Sequence, residues 1–153
     1  MAYLDWLDRT LQAKLAEKPV GEPVALRFSL AATEDHGLLI PALARALSLA
    51  SAWLGSRIER LYAMGSLHDG SVSVLAEPAG GQTAIVSSEL SRGAIAVRLL
   101  LIGNHGTLIW EDSPGADGLK VDFRIEGRSE DQWLREALER SLESGDSEEV
   151  RRG

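Results

Sequence analysis

Apolar residues follow two different spacings near the start of the chain. The first segment repeats leucine every three or four positions: Leu4, Leu7, Leu11 and Leu15. This spacing predicts an amphipathic helix over residues 3–18 that ends before Pro19 and Gly21. From Pro23 the spacing becomes two, with apolar side chains at Val24, Leu26, Phe28 and Leu30. The alternation predicts a strand with one buried face.

Residues 38–54 are almost entirely apolar, and Arg45 is the only charge among them. A helix that is apolar on nearly every side has to be buried, so the segment predicts a core helix. Pro41 fits an early turn of that helix, where its missing N–H costs nothing. Arg45, Ser48 and Ser51 make the segment too polar for a membrane span.

The rest of the chain consists mainly of short apolar runs typical of strands. They are residues 58–64, 72–76, 83–88, 94–102, 107–110 and 119–125. Turn sequences such as Asp69-Gly70 separate them, which favours an antiparallel sheet. Ser129 and Gln132 form a capping-box pattern ahead of a last helix. The sequence therefore predicts one α+β domain over residues 1–144, a mostly antiparallel sheet with helices packed on one face, followed by a disordered tail over 145–153.

The run at residues 94–102 is apolar on both of its alternating faces except at Arg98. A sheet with one face in water shows polar residues at every second position, so this strand is predicted to be covered on both faces. One explanation is a second subunit, with Ala94, Ala96, Arg98 and Leu100 in the interface. The other is a central strand flanked by helices and loops of the same chain.

Composition excludes several classes of partner. Sixteen Lys and Arg against 23 Asp and Glu give a net charge of −7, and the basic residues are scattered, so we expect no nucleic-acid partner. The chain has no cysteine and hence no disulfide or thiolate metal site. Its first fifteen residues lack the layout of a signal peptide. We predict a cytoplasmic protein with no membrane partner.

Candidate chemistry is sparse. His36, His68 and His105 each lie alone in a predicted turn, so we expect no metal site. No glycine-rich phosphate loop and no Gly-x-Ser-x-Gly elbow occurs, so we expect no cofactor and no serine nucleophile. Core packing is the default for the four tryptophans, with Trp110 the best candidate for lining a surface groove. They are Trp6, Trp53, Trp110 and Trp133.

The order of these elements resembles the C-terminal domain of the Gfo/Idh/MocA oxidoreductases. Three segments carry the resemblance over about residues 11–144: the turn Gly21-Glu22-Pro23, the buried helix ending Trp53-Leu54-Gly55, and the hairpin around Gly103-Asn104-His105-Gly106-Thr107. The resemblance implies the substrate and oligomerisation domain of such an enzyme, without the Rossmann domain that precedes it there.

The resemblance fails at the residues that carry the family's chemistry. Pro41 and Ser48 stand at the two acidic positions of its helix motif, and Arg45 stands at the catalytic histidine. Neither proline nor arginine titrates near neutral pH, so we expect no catalytic residue here. The tripeptide Glu17-Lys18-Pro19 matches the family's lysine motif, but it lies directly ahead of the substrate-domain strand. We interpret Lys18 as a helix-end residue.

Three hypotheses follow. The first is a non-catalytic domain that acts by self-association through its sheet, or as an accessory subunit. The second is half of a split NAD(P)-dependent sugar dehydrogenase, completed by a separate Rossmann-type partner protein. The third is a binder of small anionic ligands, with Arg45, Ser48 and Pro41 in a remnant pocket. Against the third stands a purely structural Arg45, buried and paired with Glu34 or Asp35.

Overall fold

Seven strands and three α-helices are present in the computed structural model, which describes residues 2–17, 19–114 and 129–153. The helices are α1 (Ala2–Ala16), α2 (Leu39–Leu54) and α3 (Ser129–Ser144), and a 3-10 turn at His36–Leu38 leads into α2. The strands are β1 (Pro23–Thr33), β2 (Ile58–Ser66), β3 (Ser71–Pro78), β4 (Thr83–Leu90), β5 (Ala96–Gly103), β6 (Thr107–Asp112) and β7 (Glu148–Glu149). Apart from β7 and the 3-10 turn, which the sequence did not predict, each element lies within a few residues of its prediction. Lys18 and the strand predicted at 119–125 lie outside the described residues.

All seven strands form one sheet in the order β6-β5-β1-β4-β3-β2-β7. Five of the six neighbouring pairs are antiparallel, as expected for strands joined by short turns. The pair β1 and β4 is parallel, which the prediction of an antiparallel meander missed. Two hairpins carry the chain from β2 to β4, and β4 then closes beside β1, far from it in sequence. The predicted class, a mostly antiparallel sheet with helices on one face, is confirmed.

The core lies between one face of the sheet and the helices. Leu26, Phe28 and Leu30 of β1 point into it, and the Phe28 ring packs 5.1 Å from that of Trp53 on α2. Helix α2 lies on the central strands, and its apolar surface is buried on nearly every side. By length and composition the segment His36–Leu54 could span a membrane, but it is mostly buried inside this fold, as the core helix of a soluble protein is.

The turn Gly21-Glu22-Pro23 contacts the hairpin around residues 103–107. Asn104 accepts a hydrogen bond from the amide of Glu22 through its side chain (2.9 Å), and the amide of His105 donates to the carbonyl of Val20 (2.9 Å). Gly21 has φ +72°, and a Cβ there would collide with the side chains of Asn104 and His105. The turn after α1 and the β5–β6 hairpin are therefore in direct contact, which explains why the turn needs a glycine at position 21.

The C-terminal residues are ordered, which corrects the prediction of a disordered tail. Glu148 and Glu149 pair with β2, and the amide of Val150 donates to the carbonyl of Glu59 (2.8 Å). Arg152 then binds the carboxylate of Glu130 on α3 through two nitrogens, at 2.5 and 3.0 Å. Polar composition suggested a tail with little to bury, but these hydrogen bonds hold it against the edge of the sheet.

Candidate functional site

Arg45 lies in the middle of α2, where it links all three helices. Its guanidinium donates to Asp5 of α1 at 3.2 Å and lies 4.0 Å from Asp131 of α3. The Arg45 side chain is only 9% exposed, as is that of Asp131, whereas Asp5 reaches the surface. A buried arginine needs carboxylate partners, and these two satisfy that need. The predicted burial of Arg45 is correct, but its predicted partners Glu34 and Asp35 are wrong.

The other two residues of the predicted remnant pocket do not join Arg45 in an open cavity. Pro41 borders a groove of about 490 Å³ between the start of α2, the end of β2 and α3, and Arg45 is absent from its lining. Ser48 is half-buried one turn beyond Arg45. The position matched to the family's catalytic histidine is therefore occupied by an ion-paired side chain.

Three aromatic residues cluster where α1 meets β6. Trp6 lies between Tyr3 (5.7 Å between ring centroids) and Trp110 (5.9 Å), and the ammonium of Lys14 sits 5.8 Å from the Trp110 ring. The Tyr3 hydroxyl donates to Asp112 at 2.8 Å. Burial, and then the Asp112 carboxylate, raise the pKa of Tyr3 well above its usual value.

The four tryptophans were predicted to pack in the core, and they do so to different degrees. Trp53 is buried and donates its indole N–H to Asp8 at 3.0 Å. Trp6 is 43% exposed, so the core prediction is wrong for it. Trp110 and Trp133 are half-buried at the edge of the core. Trp110 faces the helix side of the sheet, and it does not line the groove on the opposite face, which is bordered by residues such as Arg98, Ile109 and Glu111.

The sheet face opposite the helices carries a continuous row of mostly apolar side chains. Strand register places one residue from each of six neighbouring strands in this row: Ile109, Leu100, Arg27, Ile85, Leu75 and Tyr62. Ile109 is 67% exposed, Leu75 42% and Ile85 38%. We call this surface the open face, because the described helices all lie on the other side of the sheet.

The predicted interface residues of β5 lie mainly on the open face. Ala96 and Arg98 are exposed and Leu100 is half-buried, and Arg98 pairs with Glu111 of β6 at 3.2 Å. Ala94 lies before the strand, where its amide bonds to the Ser91 hydroxyl, so it is no part of the face. Within the described part of the chain no helix covers this side of β5. The predicted cover by helices of the same chain is therefore not found there.

The three histidines lie in exposed turns, as predicted. His36 begins the turn before α2, His68 lies between β2 and β3, and His105 lies in the β5–β6 hairpin. Among residues 2–17, 19–114 and 129–153, no three histidine or carboxylate side chains converge to form a metal site.

Comparison with known proteins connects the fold to a class of dehydrogenases. No protein-family model and no curated protein sequence matches the chain. Solved structures match it. In the alignment with a probable dehydrogenase from Thermotoga maritima, 95% of this chain and 62% of the dehydrogenase chain are covered, with 13% sequence identity and a TM-score of 0.70. A myo-inositol dehydrogenase from Lactobacillus casei, solved with NAD(H) and myo-inositol, matches 95% of this chain and 59% of its own, with 15% identity and a TM-score of 0.71.

These matches confirm the resemblance at the level of fold. The chain has the α+β architecture of the C-terminal domain of Gfo/Idh/MocA dehydrogenases and spans about three fifths of the length of these structures. At such low identity the likeness reaches the fold alone, because one fold supports many functions. Two regions of the molecule bear on its function: the Arg45 site on α2 and the open face.

Proposed function

We propose that this chain is a non-catalytic association domain of a soluble, cytoplasmic protein, in which two copies bind through their open faces. The row of apolar side chains across six strands carries the proposal. An antiparallel sheet with one face in water normally shows polar residues there. Leu75 and Ile85 instead expose large apolar surfaces next to each other, and Ile109 does so at the other end of the row.

The geometry of the open face suits a second sheet. Six strands about 4.8 Å apart make a platform roughly 24 Å wide, and two such sheets pack face to face about 10 Å apart. Association would remove the exposed apolar row from water, which is the main favourable contribution to most protein interfaces. A second copy is the simplest partner, since its face has the same composition.

The site on α2 supports the non-catalytic part of the proposal. Arg45 cannot act as a general base near neutral pH, and Asp5 and Asp131 already hold its guanidinium. An anionic ligand would have to displace both carboxylates from the buried guanidinium of Arg45. The ion-paired geometry therefore favours a structural role for Arg45 over the ligand-binding hypothesis.

Light scattering behind a sizing column tests the association with two matched variants. Leu75→Glu places a charge in the open face, where Leu75 is 42% exposed. Leu67→Glu makes the same change in the turn after β2, where Leu67 is 40% exposed. We expect a dimer mass for the parent and for Leu67→Glu, and a monomer mass for Leu75→Glu. A monomeric parent, or equal behaviour of the two variants, would contradict the proposal.

A further inference from the structure

Seven charged side chains project from the strands onto the open face, and five of them are paired within the chain. Arg98 pairs with Glu111 at 3.2 Å. Arg60 lies 3.3 Å from Glu149 and 4.0 Å from Glu77. The two that remain, Arg27 and Glu89, are exposed and have opposite charges. In the described part of the molecule neither makes an ion pair or a side-chain hydrogen bond.

Arg27 lies where an unpaired charge is most costly for association. It occupies the middle of the apolar row, between Leu100 on one neighbouring strand and Ile85 on the other. Any partner that covers these two side chains also removes the guanidinium from water. Burying a charge without a counter-charge costs several kcal/mol, so the partner has to supply a carboxylate at this point.

Glu89 cannot pair with Arg27 inside one copy. The two residues lie on the parallel neighbours β1 and β4, where Arg27 is opposite Ile85 and Ala31 is opposite Glu89. Four residues of strand separate the two levels, which is about 13 Å at roughly 3.3 Å per residue. Midway between them lies the pair Ser29 and Ser87, whose small side chains allow a second sheet to approach closely.

We propose that Arg27 pairs with Glu89 of the partner subunit across a two-fold axis that passes over Ser29 and Ser87. This inference rests on the proposed function and specifies how the two open faces meet. A two-fold interface makes each contact twice, so one axis at the midpoint satisfies both Arg27 residues and both Glu89 residues. The strands of the two sheets then run in nearly the same line, as in aligned sheet packing.

Charge reversal tests this arrangement, because it predicts which variants bind each other. Arg27→Glu alone creates two Glu-Glu contacts in its dimer, and Glu89→Arg alone creates two Arg-Arg contacts. We expect each to weaken self-association by about tenfold or more. An equimolar mixture of the two variants restores both opposite-charge contacts in a heterodimer, and so does the double variant in a homodimer.

Sedimentation equilibrium on the parent, the single variants, their mixture and the double variant gives the readout. Arg9→Glu on α1 and Glu143→Arg on α3 are the controls, since they make the same changes of charge at exposed helix positions. We expect both controls to dimerise like the parent. A dimeric parent whose Arg27→Glu and Glu89→Arg variants match the controls would overturn this inference alone, as would a mixture that fails to associate. A monomeric parent would overturn the proposed function itself.

Discussion

The two faces of the sheet are formed by the same strands but differ in how far their side chains are buried. On the helix side Leu26, Phe28 and Leu30 of β1 are at most 3% exposed. On the open face the alternating residues of the neighbouring strands, such as Ile85 and Leu75, are about two fifths exposed. Alternation therefore divides each strand into a set of residues that forms the core and a set that the proposed association would cover.

Charges show the same contrast. Arg45, on the helix side, is buried and held by carboxylates of two other helices. Arg27, on the open face, is exposed and has no such partner among the residues that the structure describes. A charge whose counter-charge lies in the same chain contributes to folding, whereas one without it is available to a second molecule. Substitutions on the two faces should accordingly differ in what they change.

The largest expected effect is on the helix side, at Phe28. Phe28→Ala leaves a cavity against the Trp53 ring and should lower the free energy of unfolding by about 3–5 kcal/mol. Ile109→Ala on the open face, where the side chain is 67% exposed, should cost about 0.5 kcal/mol or less. Urea unfolding measures both, in a Leu75→Glu background so that association does not contribute.

If the two variants lose similar amounts of unfolding free energy, the open face is part of the hydrophobic core, and the contrast between the two faces of the sheet is wrong. If Phe28→Ala does not fold, Phe28→Leu provides a smaller cavity at the same place. Its loss should still exceed that of Ile109→Ala.

A smaller loss is expected at Arg45. Arg45→Met keeps most of the side-chain volume but removes a charged partner of both Asp5 and the buried Asp131, at a cost of about 3 kcal/mol. Arg98→Met is the matched change on the open face, where the side chain is 76% exposed and its pair with Glu111 contributes about 0.5 kcal/mol or less. Thermal unfolding compares the two, and a gain of stability for Arg45→Met would contradict the structural role.

Local patterns of the sequence predicted most of the elements, because helices and strands differ in the spacing of their apolar residues. The same patterns could not predict the partners of Arg45. Asp5 is 40 residues away and Asp131 belongs to the last helix, so only the packing of three helices brings them together. The acids Glu34 and Asp35 are nearer in sequence, but Asp35 accepts a hydrogen bond from the amide of Gly37, and the ion pairs of Arg45 are with Asp5 and Asp131.

The open face was predicted only in part for a related reason. The strand at 94–102 is apolar on both faces, so its own pattern predicted a cover on the second face as well. On the open face, β3 and β4 each carry a single apolar residue among polar and acidic ones. Only the register of the sheet places Leu75, Ile85 and Leu100 in one row. Arg27 is the only charged residue of β1, and likewise only the register places it in the middle of this row.

The C-terminal residues allow a third test, of intermediate size. Arg152→Ala removes the two hydrogen bonds to Glu130 and one to the carbonyl of Ile58, and should cost about 1–2 kcal/mol because the donor is charged. Arg151→Ala is the control, since the neighbouring side chain is exposed. Urea unfolding should separate the two variants. Equal stabilities would mean that this end of the chain contributes nothing to the fold.

The smallest effect concerns Tyr3 and depends on pH. Because the pKa of Tyr3 is raised in the folded state, the unfolded chain loses this proton first, near pH 10, while the folded chain still keeps it. Stability should therefore fall as pH rises above about 10, by roughly 0.5–1 kcal/mol at about pH 11 once solvent screening of the half-exposed site is allowed for. Tyr3→Phe removes this loss, although it costs about 1 kcal/mol at neutral pH through the hydrogen bond to Asp112.

Asp112→Asn separates the two causes of the raised pKa. It keeps an oxygen that can accept from the Tyr3 hydroxyl but removes the negative charge, so the pKa of Tyr3 should fall part of the way and burial should account for the rest. The alkaline loss of stability should then be smaller than in the parent and larger than in Tyr3→Phe. If all three proteins lose stability equally between about pH 9 and pH 11, the loss comes from other groups, and the contact between α1 and β6 does not depend on the protonation of Tyr3.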